Sequence, residues 1–243
     1  MSPPVFLVDA LPDGAETVLA GAEGHHAATV RRLRPGAAVR LSDGVGGLAD
    51  CTVTAVGPDR LTLAVRGRAR LDPPRPRFVV VQALAKGDRG ELAVELLTEV
   101  GVDEVVPWAA ARSVPVWRDE RGAKALARWR ATAREAAKQS RRAWLPLVAE
   151  PHSTAEVAAR IAAAGGGLVL DGTADVPLGA APVPAGGDVV VVVGPEGGVT
   201  DDELAAFTAA GARPVRLGPT VLRASTAGAA ALVALSVHTG RWS

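Results

Sequence analysis

The 243-residue sequence predicts an α/β domain with a mainly parallel sheet, preceded by a small β-barrel domain. Three features carry that expectation. Five consecutive valines at 189–193 form a β-branched run that suits a strand buried on both faces. From residue 78 onward such apolar runs alternate with segments of helical spacing, as strand–helix–strand units do. The first seventy or so residues differ in texture, with short alternating strands and no long helical pattern.

In chain order, strands are expected at 39–42, 51–54 and 61–65, with turns at Asp43-Gly44 and Pro58-Asp59. A helical segment at 25–33 should stop at Pro35-Gly36. The stiff run Asp72-Pro73-Pro74-Arg75-Pro76 divides the chain into a domain over 1–72 and another over 73–243. Beyond it the pattern predicts a strand at 78–84, a helix at 91–100 closed by Gly101, and a strand at 102–106 stopped by Pro107. A basic helix follows, then a helix at 154–164 and strands at 168–171 and 189–193. Segments 165–167 and 180–187 read as loops. Thr200 and Glu203 form a capping box for a helix that Gly211 can close. A strand at 213–217 and an alanine-rich helix at 224–237 complete the chain.

Composition narrows the class. Leu, Val and Ala are plentiful, and no run of eighteen apolar residues suggests a membrane span. Met1-Ser2-Pro3-Pro4-Val5 lacks the basic and apolar regions of an export signal, so a cytoplasmic protein is expected. The single cysteine, Cys51, rules out an internal disulfide and a cysteine-based zinc site, and its alternating strand context reads as packing. His25 and His26 are adjacent and point in different directions on a helix, so no metal is expected.

The net charge of +1 is unevenly spread, with ten Lys/Arg against three Asp/Glu in residues 112–142. Arg130, Arg134, Lys138 and Arg141 fall on one helix face, while Leu126, Trp129, Ala133, Ala136 and Ser140 fall on the other. Such a stripe is either a solvated face or a nucleic-acid contact, because like charges at this spacing repel unless an anion is near. Arg31, Arg32 and Arg34 form a second basic group with the same two readings.

The densest chemistry lies near the C-terminus. Gly194-Pro195-Glu196-Gly197-Gly198 follows the valine strand, and Leu217-Gly218-Pro219 with Leu222-Arg223 follows the next. Ligands of α/β sheets collect at such carboxyl ends. Neither loop is a dinucleotide fingerprint or a P-loop, and Glu196 would repel a polyphosphate. A cationic or hydroxyl-rich ligand fits the glycine backbone better; a plain turn before a helix is the other reading.

These motifs resemble the RsmE-type 16S rRNA uridine-N3 methyltransferases, members of the SPOUT class of S-adenosylmethionine enzymes. The resemblance extends over nearly the whole chain. It includes residues 26–36, Lys86-Gly87-Asp88-Arg89 with Glu91, Thr98-Glu99-Val100-Gly101-Val102, Arg112-Ser113-Val114 and the stretch from Trp129 to Arg142. It implies a PUA-like RNA-binding barrel, then a knotted α/β domain working as a homodimer. It also implies an S-adenosylmethionine pocket lined by Leu170, Gly194, Pro195, Glu196, Gly197, Gly198, Leu217, Gly218, Val221, Leu222 and Arg223. Candidate contacts to 16S rRNA or the small ribosomal subunit are Arg31, Arg32, Arg34, Lys86, Arg89, Arg112, Arg134, Lys138, Arg141 and Arg142. Two positions depart from the family pattern, Leu96 where Lys is common and Ser225 where Glu is common. A carboxylate base at 225 is therefore not expected. Arg223 is expected to stabilise charge on the uracil ring, with water or Glu196 taking the N3 proton. A non-catalytic RNA-binding assembly protein and a different nucleotide-dependent α/β enzyme are the rival classes; titration with S-adenosylmethionine and with NAD separates the three.

Overall fold

The computed structural model describes residues 3–164, 166–183 and 186–242. Its chain falls into two compact units, Met1–Pro73 with Ala137–Leu145, and Pro74–Ala136 with Pro146–Ser243. The sequence reading assigned residues 137–145 to the second domain, whereas their contacts lie in the first unit. Gly46 accounts for this: at φ +97 it lies against the Trp144 indole, where a Cβ would come within 2.6 Å of the ring. The indole N–H donates to the Leu71 carbonyl at 3.1 Å, and the Leu145 N–H donates to the Gly44 carbonyl at 2.9 Å.

The first unit is a five-stranded sheet in the order β1 (Val5–Leu7), β3 (Ala38–Ser42), β4 (Gly47–Gly57), β5 (Arg60–Arg70), β2 (Glu16–Leu19). Only β1 and β3 run parallel. Inward alternation of Val39, Leu41, Ala49, Cys51, Val53, Leu61 and Leu63 builds its core with Phe6 and Leu19. Cys51 is buried there, and burial, with Asp50 adding to it, pushes its thiol pKa up, which suits an inert packing role. The helix begins earlier than expected: α1 (Gly21–His25) continues into a π-helical turn, His26–Val30, and left-handed Arg32 ends it.

The second unit holds a six-stranded sheet in the order β11 (Ala212–Val215), β9 (Gly166–Leu170), β10 (Asp188–Val193), β6 (Arg77–Ala83), β7 (Glu104–Trp108), β8 (Leu147–Val148). Every pairing in it is parallel. The valine run explains itself in this setting. Val189, Val191 and Val193 enter one core with α2 (Arg89–Glu99), α3 (Asp119–Gln139) and α6 (Ala224–His238). Val190 and Val192 enter the other with α4 (Thr154–Ala163) and α5 (Asp201–Ala209). Central β10 is thus apolar on both faces.

Two expectations need correction. Strand β7 runs through Pro107 rather than stopping before it. The Pro107 carbonyl bonds the His152 N–H on the β8 side, where β8 itself has already ended, so the missing proline N–H costs no ladder bond. Gly166 and Gly167 belong to strand β9, not to a loop. A Cβ on Gly167 would meet Ile161 Cγ2 at 2.9 Å, so glycine is what lets α4 pack closely there. Gly165, Pro184 and Ala185, also read as loop, lie outside the described residues.

Helix α6 turns its small residues onto its own sheet. A Cβ on Gly228 would meet Leu97 Cδ2 at 3.1 Å and Val193 Cγ2 at 3.2 Å. Val237 is exposed on the helix, and Leu92 is exposed on α2, which packs against it.

Candidate functional site

The carboxyl ends of neighbouring strands β11, β9 and β10 open into a cavity of about 650 Å³. Strand β9 delivers Leu170, Asp171 and Thr173; β10 delivers Gly194, Pro195, Glu196 and Gly198. Arg216, Leu217 and Gly218 follow β11, and Val221, Leu222 and Arg223 lead into α6.

The β10 loop is held by its backbone. The Gly198 N–H closes a turn onto the Pro195 carbonyl at 2.9 Å, with Gly198 in the left-handed region at φ +77. A Cβ on Gly194 would meet Val199 Cγ2 at 2.9 Å, so this position too is restricted. The loop then enters α5 through the expected capping box between Thr200 and Glu203. Glu203 does more than cap: buried at 4% exposure, its Oε1 accepts the Ala111 N–H at 2.7 Å. The loop after β10 is therefore fastened, through α5, to the segment following β7.

Glu196 accepts the Lys86 N–H at 3.4 Å and an Arg89 guanidinium N–H at 3.2 Å. Burial would raise its pKa, but its own backbone N–H, Arg89 and the Lys86 N–H outweigh that and hold it below the ordinary glutamate value. The carboxylate is thus kept anionic and occupied. Arg223 is exposed at the N-cap of α6, and its carbonyl accepts from Thr226 and Ala227. Its guanidinium has no hydrogen-bond partner among the described residues. It is not serving as the side-chain anchor of its own loop.

Of the proposed cofactor residues, Gly197 is the one absent from the cavity wall. It backs onto Arg112, where a Cβ would meet Arg112 Cβ at 3.1 Å, and the Arg112 guanidinium donates to its carbonyl at 2.9 Å. Arg89 and Arg112, read as RNA contacts, each hydrogen-bond to this loop, and Arg89 also lines the cavity. Asp171, Thr173, Asp201 and Arg216 line it without having been singled out. Asp171 Oδ1 accepts both the N–H and the hydroxyl of Thr173 at 2.8 Å, a local turn legible as Asp-x-Thr after a strand. Ser225 is buried at 3% exposure and is not part of the wall.

The basic stripe divides. Arg130 is paired with Glu150 at 2.8 Å, and Arg134 is exposed. Lys138 is buried, its ammonium 2.9 Å from Glu23 Oε1, and so does not stand on a solvent face. Helix α3 ends at Gln139, leaving Arg141 beyond it in the left-handed region at φ +58. Arg31, Arg32, Arg34 and Lys86 are exposed, and Arg142 is half-buried. Among the described residues no cluster of His, Cys, Asp and Glu could hold a metal, and no helix is long and apolar enough to cross a membrane.

The chain, with its small mixed sheet and its parallel α/β sheet that opens into a glycine-walled cavity at the carboxyl edge, matches two family models. One, described as RNA methyltransferase domain, covers residues 73–236, and the other, RNA methyltransferase PUA domain, covers 19–66. The chain therefore belongs to the RNA methyltransferases that carry a PUA domain. Within that class its relatives are ribosomal RNA small subunit methyltransferases E. The Mycobacterium bovis protein is 50% identical, with 98% of this chain and 93% of that protein aligned. The Bacillus subtilis protein is 30% identical over 91% and 90%. A solved structure of the Neisseria gonorrhoeae enzyme bound to S-adenosyl methionine superposes with a TM-score of 0.86 at 28% identity, covering 97% of this chain and 98% of that one. The chain is a member of the ribosomal RNA small subunit methyltransferase E family.

Proposed function

We propose that this protein transfers a methyl group from S-adenosylmethionine to N3 of a uridine in 16S rRNA. The cavity at the carboxyl ends of β9, β10 and β11 carries the reading. Its volume of about 650 Å³ suits a ligand of nucleoside size. Its donor set suits this one: Glu196, Asp171 and Asp201 favour a cation and hydroxyls, while Leu170, Leu217 and Leu222 give apolar wall for an adenine. When bound, the cofactor supplies an electrophilic methyl on a sulfonium.

The residues of this chain do the rest. N3 of uracil must lose its proton as it gains the methyl, so negative charge develops on the ring. The unpartnered Arg223 guanidinium at the cavity rim stabilises that charge. Glu196, held anionic by backbone N–H groups and Arg89, is a weak base, so the proton passes to water and Glu196 orients the cofactor. The first unit, Met1–Pro73 with Ala137–Leu145, binds RNA; the second carries the reaction and a trefoil knot of the SPOUT type. The protein acts in the cytoplasm as a homodimer on the small ribosomal subunit. Exposed Val237 on α6 and Leu92 on α2 form part of a self-complementary face. Light scattering should give a dimer mass; a fully active monomer would contradict this. Mass spectrometry of digested 16S rRNA should find N3-methyluridine, and a methyl on C5 or the ribose would refute the assignment.

A further inference from the structure

The first unit contains a second, small cavity of about 70 Å³, lined by His26, Arg31, Lys138, Gln139 and Arg141 together with Pro4 and the first two residues of β1. We propose that it is a binding site for a single phosphate group, supplied by the RNA backbone. This rests on the RNA-methyltransferase reading and adds a specific subsite to it.

Two segments far apart in sequence build the pocket, each through an unusual backbone. In the π-helical turn the Arg31 N–H closes onto the His26 carbonyl at 2.8 Å. That i to i+5 closure brings the two residues to one side, where an α-helix would set them on different faces. The imidazole of His26 stands edge-on to Phe6, with centroids 6.1 Å apart. On the other wall, α3 ends at Gln139 and the chain turns through Arg141 at φ +58. A non-glycine residue held in that region is strained, and such strain is commonly retained where a side chain must be aimed.

The charges are lopsided. Among the described residues the pocket wall holds three cations and no carboxylate. Lys138 is compensated by Glu23, which accepts from its ammonium at 2.9 Å. Arg31 and Arg141 have no carboxylate partner among the described residues. Two guanidinium groups with the Gln139 amide and the His26 ring form a donor set that matches the oxygens of one phosphate. The cavity is too small for a base or a nucleoside, so the site reads backbone and not sequence.

The test uses the full-length protein and a labelled 16S rRNA transcript. Arg141→Gly removes one cation while relieving the left-handed strain, so folding is preserved; Arg31→Gln removes the other. Binding is followed by fluorescence anisotropy across a salt series, and S-adenosylmethionine binding by calorimetry. The double variant should bind RNA more weakly, with a log affinity versus log salt slope shallower by about one unit per lost contact. Cofactor affinity should be unchanged, and Arg→Lys replacements should recover most of the slope. A second arm titrates the wild-type protein with inorganic phosphate and follows the Arg31 and Arg141 Nε–H resonances, which should shift. Shifts with inorganic phosphate but an unchanged RNA slope would overturn the RNA source. Unchanged slope and unshifted resonances would overturn the site. Loss of RNA and cofactor binding by the wild-type protein would instead defeat the methyltransferase reading itself.

Discussion

The two ends of the parallel sheet are built on opposite plans. At the amino end, the first residues of three adjacent strands, Asp188 of β10, Arg77 of β6 and Glu104 of β7, meet Arg160 of α4. Arg77 and Arg160 both donate to Glu104 Oε2 and both reach Asp188 Oδ2, at 3.0 and 3.3 Å. Glu104 is 3% exposed, so this lattice is dry at its centre. At the carboxyl end, backbone turns and glycines shape the wall, Val221 stands 94% exposed, and the Arg89–Glu196 pair is open to solvent. Side-chain charges fix the strand starts; backbone geometry leaves room at the strand ends. Stability and ligand binding should therefore respond to different substitutions.

The severest test of that separation is Glu104→Gln. It leaves two guanidinium groups facing one carboxylate near a buried atom. Removing one partner of a buried pair costs about 3–5 kcal/mol, and the partly solvated arginines place the expectation near the lower bound. Chemical denaturation should show this loss, while calorimetry below the transition should show S-adenosylmethionine affinity within about twofold of wild type. A parallel fall in affinity would mean that the two ends are not independent.

Arg223→Ala probes the other end. It should slow methylation by about 10²–10³-fold, with stability, cofactor binding and RNA binding close to wild type. Among the described residues the Arg223 side chain has no hydrogen-bond partner, which is why little stability is at risk. A variant that unfolds or fails to bind cofactor would assign Arg223 to the scaffold and erase the contrast.

Much of this contrast was legible in the sequence, for different reasons in different places. The run 189–193 is readable because a strand covered on both faces needs apolar side chains at odd and even positions alike. Thr200 and Glu203 are readable because a capping box is local, closed within four residues. Strands β1, β2 and β8 were missed because two to four residues are too few to display a period. The burial of Lys138 was not legible for a deeper reason. Helical spacing assigns it a face, but its environment is set by Glu23, 115 residues away. The same limit concealed Arg89 and Arg112, whose partners lie 107 and 85 residues along the chain. Sequence marks such residues as cationic without naming the acceptor. The bottom of the sheet went unread entirely, since a lattice of four charges from four elements leaves no local pattern.

The smallest expected effect gives the sharpest reading of the carboxyl end, because it separates two adjacent glycines. Gly198 needs its left-handed φ of +77, so Gly198→Ala should strain the loop by about 1 kcal/mol whatever space surrounds it. Gly197 is different. Its added methyl would meet Arg112 Cβ at 3.1 Å, a contact that a shift of a few tenths of an ångström in Arg112 relieves. Any loss should then pass through the Arg112 bond to the Gly197 carbonyl, an exposed hydrogen bond contributing about 0.5–1.5 kcal/mol. Gly197→Ala should accordingly weaken S-adenosylmethionine binding by no more than about tenfold, and Arg112→Ala by a similar factor. Because both would act on one contact, the double variant should be no worse than either single one. Were Gly197→Ala to reduce affinity strongly even with Arg112 absent, the ligand would be approaching the Gly197 backbone directly, as the glycine loop suggested when read as sequence. Additive losses would place two separate supports behind the loop, and the cavity wall would then owe as much to side chains as the opposite end of the sheet does.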